Sequence, residues 1–426
     1  MATIISTEQS KRIVTLDIVR GIAVMGILAM NIVAFAMPPQ AYINPLAYGA
    51  DRSIDFAAYA FNFVLIDGKM RGLFSFLFGA SMLLVAQMAE AKGESPRSVT
   101  YRRLLWLLFL GMLHYYLVWY GDILIGYALV GMVAWFFRDF SVRSLVRWGI
   151  ALVAVQLLIL SAFAFYNHSL SAAIEARTAT PAMLEIWRDM TRDVAIPSPA
   201  LLKEELARYL GPWTGIVSYQ VTEKAFMPLF FTFLFGWETL AYMLFGMAGL
   251  KSGFLTGTWD VSDYRRLARR CLTIGIPAYV TLLALINLDQ FSVPGLFTYA
   301  FAATVPFRPL MVTAYAAIAI LATRRGGWLV DRIAAAGRAA FTNYLGTSLV
   351  MTFIFYGWGL GLFGQLGRAD LWLVVIGAWV AMLAWSKPWL DRFNYGPFEW
   401  LWRSLARWKV QPMRKRLPQG AIASGA

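Results

Sequence analysis

The fold is decided by a long apolar run near the start of the chain, IVTLDIVRGIAVMGILAMNIVAFA at residues 13–36. A helix needs about 20 mostly apolar residues to cross the hydrocarbon core of a bilayer. This run is long enough, and it contains a single carboxylate, Asp17, and a single guanidinium, Arg20. It therefore predicts a helix that crosses a membrane and carries two ionisable groups with it.

The composition of the whole chain extends this interpretation. The 426 residues are 59% hydrophobic and only 15% charged, and the mean hydropathy is +0.58. Soluble domains are nearer a quarter charged, so the composition excludes a soluble enzyme, a disordered chain and a secreted disulfide scaffold. Cys271 is the only cysteine, so no internal disulfide forms. An all-α, polytopic integral membrane protein remains.

Ten apolar stretches pass the length test for membrane-spanning helices. They are residues 13–36, 70–88, 104–120, 123–137, 148–166, 226–250, 271–287, 296–322, 339–365 and 371–386. Residues 54–66 are apolar but too short to span, and they predict a helix that lies at the interface or dips into the bilayer. The chain is therefore predicted to form a bundle of about ten transmembrane helices.

The distribution of charge predicts the orientation of these helices, because cytoplasmic loops retain Lys and Arg. Alternate connections, beginning with residues 1–12 and ending with 387–426, carry a combined net charge of +17. The connections of the opposite set carry −3. Both termini are therefore predicted to be cytoplasmic, in a multi-pass protein of the cytoplasmic membrane.

The domain organisation follows the spans. Residues 1–166 and 226–386 are predicted to form two bundles of about five helices each, separated by a hydrophilic outer segment, 167–225. Two helices are predicted to begin in that segment, at Thr180-Pro181 and Ser198-Pro199, because each pairs a capping hydroxyl with a proline at the first helical position. The segment is either a small helical cap or a lid over an outward-facing cavity.

The C-terminal tail, residues 387–426, combines several tryptophans with a net charge of +6. Nucleic-acid sites have a similar composition, but tryptophan at headgroup level and cations facing anionic lipid are typical of a juxtamembrane cytoplasmic helix. The tail is therefore predicted to contact the lipid bilayer, and no nucleic acid is expected as a partner. Gly357 and Gly361 form a GxxxG pattern in the ninth predicted span, which permits close helix packing and a homodimer.

Ionisable groups inside spans are the sharpest functional signal, because each is costly to place in a bilayer. At about 100° per residue, Asp17, Arg20 and Asn31 share one face of the first predicted helix, and Asp17 can pair with Arg20. One interpretation is an internal ion pair that pins the first helix against its neighbours. The other is a cavity open to the cytoplasm, in which Asp17 orients Arg20 toward an anionic group.

His114 lies in the third predicted span, in a chain that contains only two histidines. The turn that follows contains Asp122, which is predicted to reach back toward the imidazole. A histidine beside a carboxylate is a general-base arrangement, since the carboxylate fixes the tautomer and stabilises the imidazolium. The alternative is a histidine that hydrogen-bonds a neighbouring helix.

Weaker candidates are four further charged residues in or beside the spans. They are Glu238 in the sixth predicted span, Arg308 between two prolines in the eighth, and Lys69 and Arg71, which are placed at the outer mouth of the second. Prolines free backbone carbonyls, which is tolerable only where a helix is buried in protein or lines a cavity. One cysteine and two separated histidines make no metal-ligand set, so no metal is expected.

Several motifs together resemble those of the YeiB-like bacterial membrane proteins, a family of unknown function. They are LDIVRGIA at 16–23, DGKMR at 67–71, LH at 113–114, GDIL at 121–124, TNYL at 342–345 and FNYGPFEWLWR at 393–403. The resemblance covers essentially the whole chain except residues 167–225. It implies a protein of the bacterial inner membrane.

The opening motif also resembles that of the transmembrane acyltransferases, which include lysosomal heparan-glucosaminide acetyltransferase. Those enzymes pass an acyl group from cytosolic acyl-CoA, such as acetyl-CoA, to an acceptor across the bilayer, with an intramembrane histidine at the reaction centre. The resemblance implies that His114 is a catalytic base or transient acyl carrier and that Asp122 is its partner. It also implies that Arg20 contacts the CoA phosphates or helps to close the inner gate. The further residues predicted to bind the donor, acyl-CoA, are Asp17, Asn31, Lys69 and Arg71.

The predicted function is therefore acyl transfer from cytosolic acyl-CoA to a hydroxyl or amine of a small molecule, glycan or lipid at the outer side. The rival function is transport, with the same buried groups used for gating or proton coupling. Internal pseudo-symmetry would favour a transporter, and the sequence shows none. A third alternative is a non-catalytic membrane protein whose aromatic C-terminal helix docks a partner.

Overall fold

The computed structural model of the chain describes residues 13–415. The predicted cytoplasmic N-terminus, residues 1–12, and the end of the predicted tail, residues 416–426, lie outside the described residues. Throughout the described part the structure is helical, with no β-strand and one isolated bridge between Phe393 and Arg414. The predicted all-α class is confirmed.

Seventeen α-helices occur between residues 13 and 415. The first nine are α1 (Val14–Ala36), α2 (Ser53–Phe61), α3 (Lys69–Glu90), α4 (Pro96–Leu117), α5 (Leu124–Ala134), α6 (Val142–Glu175), α7 (Pro181–Thr191), α8 (Pro199–Tyr209) and α9 (Trp213–Thr222). The others are α10 (Met227–Lys251), α11 (Val261–Leu288), α12 (Val293–Gly295), α13 (Arg308–Thr323), α14 (Trp328–Arg338), α15 (Ala340–Phe355), α16 (Arg368–Arg392) and α17 (Pro397–Arg407). Two π-helical segments, Asn62–Ile66 and Leu296–Ala302, follow α2 and α12.

Six helical segments are long and apolar enough to cross a membrane. They are α1, α6, α10, α11, α16 and the continuous segment Ser53–Glu90, which contains α2 and α3. Each coincides with or contains one of the ten predicted spans. The described chain therefore has the composition and helix lengths of a polytopic membrane protein.

The other four predicted spans are shorter or broken in the structure. The fourth forms the short segment Leu124–Phe137, and the eighth is divided between a π-helical segment and α13 by a turn that contains Pro306. Proline removes a backbone donor, so a helix cannot continue through such a turn unchanged. The third overlaps α4, which begins earlier than predicted, at Pro96 after the cap residue Ser95, and ends at Leu117, three residues before the predicted end.

The ninth predicted span is also too long, and the GxxxG prediction made for it is wrong. The helix α15 ends at Phe355, so Gly357 and Gly361 lie in the loop that follows. Gly361 has φ +67°, a left-handed conformation that favours glycine. The backbone N–H of Gly357 donates to the carbonyl of Tyr209, 2.9 Å away. These glycines therefore shape an apolar loop packed under the outer segment and form no helix–helix seam.

The first helix lies at the centre of the bundle. In its most apolar stretch 83% of α1 is buried within the protein, compared with 22% for α16. It packs against α3, α13, α14 and α15. The helix α14 occupies residues predicted to form a cytoplasmic loop, and it is held because Val330 and Ile333 pack on the core beside α1. Hydropathy missed this helix because most of its other residues are polar or small.

A close backbone contact joins α14 to α1 and gives a prediction about Gly337. A Cβ atom placed on Gly337 would lie 1.8 Å from the carbonyl oxygen of Asp17 and 2.6 Å from the amide of Gly21. Gly337→Ala is therefore expected to push the two helices apart and to reduce the yield of folded, detergent-solubilised protein severely. Gly377→Ala is the matched control, since nothing lies within 4 Å of that position. Normal folding of Gly337→Ala would contradict the contact.

The outer segment contains three short helices where two were predicted. The helices α7 and α8 begin as predicted, since Thr180 accepts a hydrogen bond from the amide of Met183 (3.3 Å) and Ser198 from that of Leu201 (3.2 Å). The third, α9, has no side-chain cap, so it lacks the signal that revealed the others. The helix α6 extends to Glu175, so the predicted boundary after residue 166 falls inside a helix.

The segment predicted to lie at the interface or to dip into the bilayer packs beside α1. The side-chain amide of Asn62, at the end of α2, donates to the carbonyl of Ala29 at 3.3 Å. Ala29 lies seven residues before the end of α1, which is about 10 Å along the helix axis. The contact places this segment beside the second half of α1, and its position relative to the bilayer stays a prediction.

Candidate functional site

The histidine–carboxylate pair predicted from the sequence is formed. His114 is in the last turn of α4, and its Nδ1 lies 2.7 Å from Oδ2 of Asp122. The other carboxylate oxygen, Oδ1, accepts the backbone N–H of Ile125 at the start of α5 (2.9 Å). Asp122 therefore has one oxygen fixed by the backbone and one on the imidazole. This arrangement assigns the ring proton to Nδ1 and leaves Nε2 as a hydrogen-bond acceptor.

The free nitrogen of this histidine is enclosed by protein. The side chains of His114 and Asp122 are 3% and 0% exposed, and Nε2 has no hydrogen-bond partner within the described residues. The aromatic rings of Tyr344 and Trp119 lie 5.3 Å and 6.4 Å from the imidazole, between ring centres. Trp119 also stacks on Phe35 at 3.8 Å. The helices α1, α4 and α15 thus converge on one buried, basic nitrogen.

The predicted pair at the start of α1 is also formed. Arg20 donates to Oδ1 of Asp17 at 3.2 Å and to the hydroxyl of Ser81, on α3, at 2.8 Å. Asp17 is buried, whereas the side chain of Arg20 keeps 26% exposure. Asn31 is buried further along α1. The arrangement holds one guanidinium in place while leaving part of it accessible.

Three arginines from other elements share the electrostatic environment of Arg20. Burial, together with the charges of Arg403, Arg407 and Arg20, lowers the pKa of Arg103 to about 9. A guanidinium still keeps its proton at neutral pH. Asp17 pairs with Arg20 and the charge of Glu399 acts on Arg403, so the cluster of Arg20, Arg103, Arg403 and Arg407 keeps a net positive charge that favours an anion. We refer to these four residues as the arginine cluster.

The C-terminal helix α17 is attached to the bundle by a buried carboxylate. Glu399 accepts the backbone N–H groups of Phe341 (2.6 Å) and Thr342 (3.1 Å) at the start of α15, and the Thr342 hydroxyl at 2.5 Å. Burial raises the pKa of Glu399, and these hydrogen bonds oppose that rise. The contact fixes the beginning of α15, the helix that brings Tyr344 to His114.

A second contact of α17 orients the arginine cluster. The indole N–H of Trp402 donates to the carbonyl of Arg103 at 2.9 Å, and the Arg103 guanidinium lies 4.2 Å from the centre of the Trp402 ring. The predicted lipid-contacting tail therefore also packs on α4. The sequence predicts Trp402 to lie at the lipid headgroups with the other tryptophans of the tail, and it assigns no role to Glu399.

The remaining predicted donor residues, Lys69 and Arg71, lie elsewhere. Lys69 is fully buried, with Nζ donating to the carbonyl of Phe63, and its place at an outer mouth stays a prediction. Arg71 contacts Glu238 at 3.2 Å, and Glu238 in turn pairs with Arg308 at 2.6 Å. Arg71 and Ser81, the partner of Arg20, are ten residues apart on α3, which is about 15 Å. The structure thus separates the predicted donor residues into two groups.

No metal-ligand set accompanies these groups. Between residues 13 and 415 there is no assembly of three or more His, Cys, Asp or Glu side chains that could hold a metal ion. The chemistry available at His114 is therefore that of an imidazole, a carboxylate and the surrounding aromatic rings.

These observations define a class of protein: an all-helical membrane protein with a buried histidine–aspartate pair and a separate cluster of arginines. Residues 249–409 match a family model described as "Protein of unknown function (DUF418)". The chain is 35% identical to "Uncharacterized protein YeiB" of Escherichia coli over 93% of its length and 96% of that protein. The chain therefore belongs to the YeiB-like family.

Two further relatives come from Bacillus species. "Uncharacterized protein YxaH" of Bacillus subtilis is 31% identical, over 98% of this chain and 99% of the relative. An "Uncharacterized 39.9 kDa protein in amylase 3'region" of Bacillus acidopullulyticus is 24% identical, over 93% of this chain and 94% of the relative. No solved structure matches the chain. The membership that the motifs predicted is confirmed.

Proposed function

We propose that the protein is a membrane-embedded acyltransferase that passes an acyl group from cytosolic acyl-CoA to an acceptor at the outer side. The observation that carries this proposal is the buried His114–Asp122 pair with its free Nε2. Catalytic bases need a positioned carboxylate and a nitrogen that faces the reactant. Most buried polar atoms are hydrogen-bonded, so the unpartnered Nε2 of His114 favours a nitrogen kept free for a reactant.

The reaction assigns a defined role to each group. Nε2 of His114 takes the proton of the acceptor hydroxyl or amine while the acceptor oxygen or nitrogen attacks the thioester carbon. The new acyl bond forms, the carbon–sulfur bond breaks, and the proton passes from the imidazolium to the thiolate of CoA. Asp122 stabilises the imidazolium and holds its orientation. A transient acyl group on Nε2 is a variant of the same scheme with the same products.

The arginine cluster supports the donor side of the proposal. Four guanidinium groups suit the phosphates of CoA, and Asp17 and Ser81 hold Arg20 in position. Arg20 and Phe35, which stacks beside the histidine site, are fifteen residues apart on α1, or about 22 Å. The donor must therefore be long and thin, as the pantetheine arm of acyl-CoA is. Lys69 and Arg71 fall outside this path.

We propose a topology of ten membrane spans with both termini in the cytoplasm, in the inner membrane of a bacterium. Contacts between distant loops support it, because they join loops that the charge count placed on one side. At the inner side Lys251 donates to the carbonyl of Arg138 at 2.7 Å and Thr15 to that of Leu255 at 2.6 Å. At the outer side Arg52 pairs with Asp370 at 2.7 Å.

Incubating the purified protein in nanodiscs with radiolabelled acetyl-CoA tests this function. Release of free CoA thiol and transfer of label are followed with no acceptor, with hydroxyl acceptors and with amine acceptors. The proposal requires acceptor-dependent CoA release. Absence of both CoA binding and CoA release would exclude an acyl-CoA-dependent enzyme.

The donor site gives a separate prediction. Arg20→Gln is expected to weaken CoA binding by roughly tenfold or more, because a charged hydrogen bond to phosphate is lost. Isothermal titration with CoA at low salt measures the effect. Arg325→Gln removes an equal charge from an exposed cytoplasmic position and is expected to bind CoA as the wild type does. If both variants weakened CoA binding equally, Arg20 would act only through the general surface charge and would not form a specific CoA contact.

Transport is a second candidate function, favoured by the buried network of Arg71, Glu238 and Arg308. Intramembrane ionisable groups mark ion and substrate pathways in many transporters. The same labelled nanodisc experiment, repeated in sealed proteoliposomes, separates the two functions. Uptake of a solute that proceeds without CoA release supports transport.

A further inference from the structure

A small cavity lies beneath the outer segment, beside the histidine site. It has a volume of about 10 Å³ and is lined by residues 115–120 at the end of α4, by α9 and by Tyr356. A cavity of this size admits at most one water molecule. Anything larger enters only when α9 moves outward.

Three residues of the cavity wall each carry a polar atom for which residues 13–415 provide no hydrogen-bond partner. These atoms are Nε1 of Trp119, the hydroxyl of Tyr356 and Oε1 of Gln220, on residues that are 2%, 1% and 3% exposed. Buried polar groups are normally hydrogen-bonded, so three orphaned groups in one wall are unusual. Two of these groups donate a hydrogen bond and one accepts. Together they form a mixed set suited to hydroxyl groups, which donate and accept at once.

The rest of the wall is aromatic or aliphatic and carries no charge. Tyr115, Tyr116, Tyr120 and Trp213 line the cavity, and no Asp, Glu, Lys or Arg does. Burying an unpaired charge against such a wall is strongly unfavourable. The cavity therefore suits a neutral group that combines apolar faces with hydroxyls, and it disfavours phosphates and ammonium groups.

Trp119 connects the cavity to the proposed base. Its ring lines the cavity and lies 6.4 Å from the imidazole of His114, between ring centres. A hydroxyl group that reached past Trp119 would approach the free Nε2. The cavity is therefore placed to deliver an acceptor.

Three side chains hold the cover of the cavity in place. The indole of Trp213 donates to the carbonyl of Leu117 at 2.8 Å. Tyr115 and Tyr116 donate to the carbonyls of Lys224 and Ala225, at 2.8 Å and 2.7 Å, just after α9. Breaking these few hydrogen bonds releases α9, which favours a lid over a fixed cap.

We propose that this cavity is the acceptor subsite and takes a neutral, saccharide-like hydroxylated ring, admitted by outward movement of α9. This inference rests on the proposed acyltransferase function and narrows its acceptor to a hydroxyl. The saccharide is either free or the headgroup of a glycolipid, because both present the same ring.

Equilibrium binding in nanodiscs, without acyl donor, tests the proposal. The probes are N-acetylglucosamine, monoglucosyl diacylglycerol built into the disc, and the charged sugars glucosamine and glucose 6-phosphate. At least one neutral probe is expected to bind saturably, and the charged sugars at least tenfold more weakly. Preference for the free sugar or the glycolipid identifies the source of the acceptor.

Variants separate binding from folding. Tyr356→Phe and Gln220→Met are expected to weaken binding of the neutral probe at least tenfold without lowering the melting temperature, because the polar atoms removed have no partner in the protein. Tyr279→Phe makes the same change in a buried tyrosine outside the cavity and is expected to bind normally. Failure of both neutral probes to bind the wild type, or unchanged binding by Tyr356→Phe, would overturn the inference.

The two proposals fail in distinguishable ways. Binding of the neutral probe without any CoA release would support the saccharide subsite and contradict the acyltransferase function. CoA release with amine acceptors, without binding of a neutral ring, would support the acyltransferase function and contradict the saccharide subsite.

Discussion

His114→Ala is expected to lower acceptor-dependent CoA release by roughly a thousandfold, while leaving CoA binding unchanged. Positioned general bases contribute on the order of 10²–10⁴ to rate, and Nε2 of His114 is the buried basic nitrogen at which α1, α4 and α15 converge. Steady-state release of the CoA thiol, measured with saturating acetyl-CoA, gives the rate. Isothermal titration gives the binding constant.

The second histidine of the chain supplies the control. His168 is exposed and contacts the hydroxyl of Thr298 at 2.9 Å, so His168→Ala is expected to turn over normally. Equal activity in His114→Ala and the wild type would contradict the catalytic role of His114. It would leave the proposed CoA-binding site unaffected.

Asp122→Asn separates the role of the carboxylate from that of the ring. An asparagine has one acceptor oxygen; when that oxygen keeps the hydrogen bond from Ile125, the NH₂ group faces Nδ1, favours the tautomer with the ring proton on Nε2 and cannot stabilise an imidazolium. The rate is therefore expected to fall by about 10²-fold or more. The hydrogen bond from Ile125 still has an acceptor, so the start of α5 is expected to remain intact.

Two pairs of residues in this site could be predicted from their spacing in the sequence. Asp17 and Arg20 are three residues apart on one helix, so helix geometry predicts that they meet. His114 and Asp122 are joined by a single turn, which predicts that the carboxylate reaches back toward the imidazole. The assignment of residues 13–36 to a buried helix rests on the same short-range information. The structure agrees at both places.

The other contacts of the site join residues that are far apart in the sequence, so residue spacing does not predict them. Tyr344 reaches the turn beside Asp122 across 221 residues, Glu399 reaches α15 across 57, and Trp402 reaches Arg103 across 299. Such pairings depend on how the helices pack. The motifs containing Tyr344 and Glu399 were visible, but one sequence does not show that the two motifs touch.

Hydropathy misjudged the ninth span for a related reason. An apolar loop buried under an outer helix has the same composition as the end of a transmembrane helix. The loop after Phe355 is held by backbone contacts to Tyr209 in the outer segment, which was not predicted to approach it. The positive φ of Gly361 belongs to that loop and appears in the sequence only as a glycine.

The charged residues that were the weaker candidates in the sequence form a network buried between three helices. Glu238 accepts from Arg308 at 2.6 Å and 2.7 Å, from Arg71 at 3.2 Å and from the hydroxyl of Tyr242 at 2.9 Å. Glu238 is 1% exposed. Three helices, α3, α10 and α13, are therefore joined through one carboxylate. Isolated charges in three distant spans gave no sign that they pair.

Glu238→Gln is expected to destabilise the protein by about 3–5 kcal/mol, because removing one partner of a buried ion pair leaves the other charge uncompensated. Here two guanidinium groups lose their counter-charge at once. Equilibrium unfolding by sodium dodecyl sulfate in mixed micelles measures the change. Asp391→Asn is the control, since its partner Lys387 and Asp391 itself are 40% and 54% exposed, and exposed pairs contribute about 0–1 kcal/mol.

Removing both charges tests whether the loss comes from the uncompensated guanidinium. The double variant Glu238→Gln, Arg308→Met is expected to be more stable than Glu238→Gln alone, because Arg308 no longer lies buried without an anion. Arg71 keeps 24% side-chain exposure and can turn toward water or a lipid headgroup. A double variant no more stable than the single one would instead assign the loss to the hydrogen bonds from Tyr242 and to the packing of α3, α10 and α13.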